Sequence, residues 1–147
     1  MTEVIARDEE ATVLTFLADM ADGRAEEAIA AFDEGVVYTN VGLPTLRGRE
    51  RAGRVIRLLG RPGLGFGVEV LSIASDGALV LTERIDELRV GPLRVRFWVC
   101  GRFEVRDGRI TVWRDYFDNV DIAKGIVRGV LALAVPAVQR PMTPLQR

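Results

Sequence analysis

The chain has no histidine, a single cysteine and no long apolar run, and each shortage narrows what it can do. Without imidazole there is no Ser-His-Asp or Cys-His nucleophile, no histidine general base and no histidine-ligated zinc. The lone Cys100 permits neither an internal disulfide nor a Cys-x-x-Cys pair. Catalysis must then run on Asp, Glu, Tyr, Lys or Arg. The longest apolar stretch, residues 130–135, is far too short to span a bilayer. No signal-peptide core stands at residues 1–8, so a cytoplasmic protein without stable membrane association is expected. A net charge of -1 leaves no global field to recruit nucleic acid, and no nucleic-acid partner is expected.

What is present is ordinary for one globular domain: 147 residues, 48% hydrophobic and 28% charged. The spacing predicts helices over 8–21, 25–32 and 48–59, with a strand over 36–40 between the last two. Beyond residue 60 the texture changes to strands over 67–74, 78–90, 93–105 and 109–118. Asp76-Gly77, Gly91-Pro92 and Asp107-Gly108 provide the turns, giving a four-stranded antiparallel meander. A final amphipathic helix covers 121–135, and Pro136, Pro141 and Pro144 mark a loose tail over 136–147, leaving 8–135 as the ordered core of a single domain. This order describes an α+β fold whose helices cover one face of a bent sheet, a cone able to hold one organic ligand.

Polar residues interrupt the faces of this cone. Val80, Thr82, Arg84, Asp86 and Leu88 alternate onto one side of their strand, and Trp113, Asp115 and Phe117 onto one side of another. Charges two apart on a strand are most often a solvated face, and Arg84 with Asp86 alone is a weak signal; an aspartate between two large aromatics is stronger. Tyr38 and Asn40 share a face in the same way. Two aspartates and an arginine aimed into an apolar space point to a site where a carboxylic acid and a carboxylate coexist. Opening a strained ether with water needs that combination, a base for the water and an acid for the leaving oxygen. Leu88, Val99 and Phe117 are candidate walls.

Tyr38-x-Asn40, Thr82-Glu83-Arg84-x-Asp86 and Trp113-Arg114-Asp115-Tyr116-Phe117-Asp118 together resemble the limonene-1,2-epoxide hydrolase family, in the same order and over most of the chain. Gly91-Pro92-Leu93-Arg94-Val95 and Phe97-Trp98-Val99-Cys100-Gly101 resemble its bacterial lipid-epoxide branch. The resemblance implies a cone-shaped, strongly curved mixed sheet wrapped by helices, related to nuclear transport factor 2 and ketosteroid isomerase, in a homodimer. It implies hydrolysis of a lipophilic epoxide to a vicinal diol without cofactor or metal. In that scheme Asp115 is the base, Asp86 the acid, Arg84 the bridge between them, and Tyr38 and Asn40 position the water.

Two other readings fit the same residues: an isomerase or cyclase on this fold, or a non-catalytic lipid-binding domain. Arg47, Arg49, Arg51, Arg54, Arg57 and Arg61 read as a solvated basic helix face paired with the acidic first helix. Glu83, Glu87 and Arg89 fall on the strand side opposite Arg84. The side carrying Arg94, Arg96, Trp98, Cys100 and Arg102 suits either a subunit interface or a helix lying over it.

Overall fold

The computed structural model describes residues 2–145. Helix α1 (Thr2–Ala21) is longer at its start than the 8–21 expected, and it buries Val13, Phe16, Leu17 and Met20 as one stripe. Gly23, at φ 74°, turns the chain into α2 (Ala25–Ala30). This helix stops before Phe32, which the spacing had placed inside it. Phe32 instead opens β1 (Phe32–Asn40), where it is fully buried with its ring 5.1 Å from that of Phe16. Tertiary burial of a large aromatic outweighs the helical pattern of a short segment.

A two-residue strand β2 (Leu46–Arg47) pairs with Val37 and Tyr38 before α3 (Arg49–Leu59). Two residues carry no period, which is why β2 was not expected. Arg57 of α3 pairs with Glu26 of α2 and Glu50 of its own helix, so this basic face meets α2 where the acidic first helix was the expected partner. The meander follows as β3 (Leu64–Asp76), β4 (Leu79–Val90), β5 (Leu93–Arg106) and β6 (Arg109–Phe117). Asp118 lies outside β6, and its side chain accepts the Val120 and Asp121 N–H groups as the N-cap of α4 (Asn119–Ala134). A short 3-10 turn, Pro136–Val138, follows.

The six strands form one mixed sheet in the order β2-β1-β6-β5-β4-β3. Every pair is antiparallel except β1 with β6, which run parallel. Helices α1, α2 and α3 enclose the main core against β1, β3 and β6. A smaller cluster of Val95, Phe97 and Val99 meets Ile122 of α4.

Strand β6 ends at Phe117, opposite Val99, so the first half of β5 has no strand on that side. Helix α4 covers this edge. Asp121 accepts the Trp98 N–H at 2.7 Å, and Gln139 donates to the Arg94 carbonyl at 3.0 Å. Gly125 and Gly129 face the carbonyl oxygens of Arg96 and Arg94 so closely that a Cβ at either position would overlap them. Side-chain-free positions let a helix lie directly on strand backbone, closing an edge that would otherwise invite pairing.

Glu87 lies on the strand side opposite Arg84. It is buried, accepting from Arg89 and Arg96, each at 2.6 Å. Burial pushes its carboxyl up, but the two arginines outweigh that and hold it below the usual range.

Candidate active site

The alternation read from β4 places Val80, Thr82, Arg84 and Asp86 on the buried face, with Leu88 partly buried beside them. Trp113 and Asp115 of β6 are buried on the same side of the sheet, and β1 brings Asn40 into register with Asp115 and Tyr38 with Trp113.

Arg84 is wholly buried and uses its guanidinium to join the two aspartates. Its Nε donates to Asp86 Oδ1 at 2.8 Å and its Nη2 to Asp86 Oδ2 at 3.2 Å. The same Nη2 donates to Asp115 Oδ2 at 2.6 Å. Nη1 donates to Thr82 Oγ1 at 3.1 Å. Asp115 receives a second donor, Trp113 Nε1, at 2.8 Å on its other oxygen. The planar fork of arginine suits this double contact in a way an ammonium would not.

Arg84 and Asp115 lie on β4 and β6, which are not neighbours; β5 runs between them. Adjacent strands stand about 4.8 Å apart, so the contact spans roughly twice that and must pass over β5. The residue beneath is Gly101, paired with Thr82 on one side and Asp115 on the other. A Cβ there would lie 2.7 Å from Thr82 Oγ1, 3.0 Å from Phe103 Cε2, and closer still to Arg84 Nη1. Gly101 is thus the gap through which the bridge forms. The Phe103 ring lies 5.9 Å from Arg84 Cζ as a further support. In the sequence Gly101, Thr82 and Trp113 stand only as motif letters or face partners. A glycine inside a strand flanked by large residues was the available signal for Gly101.

Two carboxylates and one guanidinium sum to one negative charge in surroundings that solvate it poorly. Holding one proton makes the cluster neutral. Burial pushes the Asp115 carboxyl up to about 6, with Arg84 pulling it down and Asp86 pushing it further up. Burial raises Asp86 as well, against the pull of Arg84. Burial disfavours the Arg84 cation, yet Asp115 and Asp86 together raise its pKa and keep it charged. Burial, then the charge of Asp115, raises the Tyr38 phenol, which stays protonated. Asn40 Nδ2 donates to the Tyr38 oxygen at 2.7 Å, and the Tyr38 ring stacks on Trp113 with centroids 4.1 Å apart. That bond leaves the phenol proton available to another acceptor.

Asp86, Asp115, Tyr38 and Asn40 open onto a cavity of about 430 Å³ between the sheet and the helices. Its walls are apolar: Met20 from α1, Val55 and Leu59 from α3, Ile122 and Ile126 from α4, and Phe66, Val95 and Phe97 from the sheet. Of the three walls expected, Leu88 and Phe117 line the cavity. Val99 is fully buried behind it, paired with Arg84 across β4–β5 and packed with Val95 and Phe97. Among the described residues no three carboxylate or thiol groups come together in a way that could hold a metal ion.

A curled mixed sheet enclosing an apolar cavity, with helices across its open side, places the domain among the nuclear transport factor 2-like and ketosteroid isomerase-like folds. A putative ketosteroid isomerase from Kribbella flavida shares that fold, at a TM-score of 0.64 and 20% identity over 78% of this chain and 80% of that one. Residues 7–128 match the limonene-1,2-epoxide hydrolase catalytic domain, and the chain belongs to that family. It is 54% identical over 111 residues to the epoxide hydrolase EphG of Mycobacterium tuberculosis, covering 75% of this chain and 73% of that one. A solved M. tuberculosis LEH-like epoxide hydrolase superposes with a TM-score of 0.88 at 44% identity, over 93% of this chain and 97% of that one. The protein is an epoxide hydrolase of the limonene-1,2-epoxide hydrolase type. Among the described residues no helix is long and apolar enough to cross a membrane.

Proposed function

We propose that this hydrolase adds water directly to a lipophilic epoxide, with Asp115 as base and Asp86 as acid. The observation that carries the reading is the single Arg84 guanidinium joined to both buried carboxyls on the floor of an apolar cavity. Among the described residues Asp86 accepts two N–H bonds from Arg84, whereas Asp115 accepts one from Arg84 and one from Trp113. Each carboxyl thus accepts two N–H bonds, and in this scheme Asp86 keeps the shared proton, leaving Asp115 ionised as the base.

A water beside Asp115 is oriented by the Tyr38 hydroxyl and the Asn40 amide. Asp115 takes one of its protons as the oxygen attacks an epoxide carbon from the side opposite the breaking C–O bond. Asp86 gives its proton to the departing oxygen, and a vicinal diol results. The cluster ends with the charge it began with, and one proton passing from Asp115 to Asp86 resets it. The apolar walls select a lipophilic substrate.

Single turnover with excess enzyme in oxygen-18 water tests the scheme. Solvent label in the first-turnover diol, lost together with turnover in Asp115→Asn, is expected. Unlabelled first-turnover diol would mean a carboxylate had attacked the epoxide, and would overturn it.

A further inference from the structure

Apolar surface extends well beyond the cavity mouth. Helix α4 rests on the domain through a narrow stripe, with Gly125 and Gly129 buried against β5 and Ile122 partly buried beside them. Most of its remaining circumference is exposed and apolar: Val120 at 62%, Val127 at 59%, Leu131 at 55% and Val130 at 52%. At about 100° per residue this arc runs round the helix to Ile126. Ile126 is itself half exposed and part of the cavity wall. Leu43 and Val90, also exposed and lining the cavity, continue the apolar surface across its mouth. Contiguous exposed apolar surface of this kind marks a docking site.

The charges say what docks there. Lys124 and Arg128 are exposed along one margin of the arc, beside Val127 and Leu131. The only acid within α4, Asp121, is turned away to accept the Trp98 N–H. An exposed apolar arc edged by cations matches a helix lying in the plane of an anionic lipid surface, its basic side chains reaching up to the headgroups.

We propose that α4 docks the enzyme reversibly on anionic bilayers and that the epoxide passes from the lipid past Ile126 into the cavity. This rests on the reading of the substrate as a lipophilic epoxide, a molecule that concentrates in lipid. A second protein copy seated on the same arc would lie across the entrance.

Flotation with vesicles of phosphatidylcholine and phosphatidylglycerol, beside vesicles of phosphatidylcholine alone, is the test. The enzyme floats with the anionic vesicles and is released by salt. Lys124→Gln and Arg128→Gln weaken binding roughly fivefold for each charge removed. Val127→Asp with Leu131→Asp abolishes flotation, keeps the wild-type rate on a short epoxide dissolved in buffer, and loses most of the rate on an epoxide held in vesicles. Equal flotation of wild type and this double variant overturns the proposal. So does an apparent mass that falls in the variant without any vesicle binding by the wild type, since a second copy would then cover the arc. Specific flotation with no hydrolysis of any epoxide supports docking and sinks the substrate reading alone.

Discussion

Gly101→Ala should disable the enzyme without altering any polar group. The new methyl would lie 2.7 Å from Thr82 Oγ1 and within contact of Arg84 Nη1, deep between β4 and β6. The backbone cannot retreat, because β5 is paired on both sides at this point. The guanidinium therefore has to move, and it has no exposed surface through which to leave. Overpacking of a tight site costs about 1–3 kcal/mol. Pulling Arg84 from a buried carboxylate adds toward the loss of one partner of a buried pair, about 3–5 kcal/mol. The low ends of the two together, about 4 kcal/mol, lower Tm by roughly 8–16 °C in a domain of this size. Displacing the bridge by about 1 Å reduces kcat roughly a hundredfold, with KM changing less because the cavity walls remain. Denaturant unfolding and initial rates measure both effects. Gly35→Ala is the control, since its Cβ meets only Asp33 Oδ2, at an ordinary 3.4 Å. Wild-type kcat and an unshifted midpoint in Gly101→Ala would refute the seating of Arg84 over this glycine.

Asp86→Asn and Asp115→Asn should each lower kcat by at least about 10²- to 10⁴-fold while unfolding cooperatively, as checked by steady-state rates and circular dichroism. The Asp115 carboxyl sits at about 6 against an ordinary 3.8, so between those values the folded state holds a proton that the unfolded chain has released. Stability should therefore fall as pH rises across that window, by about 3 kcal/mol in all, and Asp115→Asn should flatten the slope in pH-dependent denaturation. The same ionisation makes kcat rise with pH through about 6, and it falls again where Asp86 loses its proton. Leu88→Trp should shrink the cavity and raise KM for bulky epoxides far more than for small ones, measured across a size series.

The features legible in the chain were those carried by neighbours in sequence. Alternation over β4 and β6 placed Arg84, Asp86 and Asp115 on buried faces, because a strand presents every second residue to the same side. The missing histidine restricted the chemistry to Asp, Glu, Tyr, Lys or Arg. Boundaries held to within a residue where a turn marked them, as at Gly91-Pro92 and Asp107-Gly108, whereas Asp76 is the last residue of β3. Tertiary structure decided what depends on partners distant in the chain. Phe32 left its expected helix for the core, Glu87 found two arginines, and Val99 settled behind the cavity. The parallel pairing of β1 with β6, which sets Asn40 opposite Asp115, has no local signature. Nor has the reach of Arg84 across β5, since residue types show that a bridge is possible but not what lies beneath it. Only the register of three strands brings a glycine under the guanidinium, and that gap lets one cation hold both carboxyls.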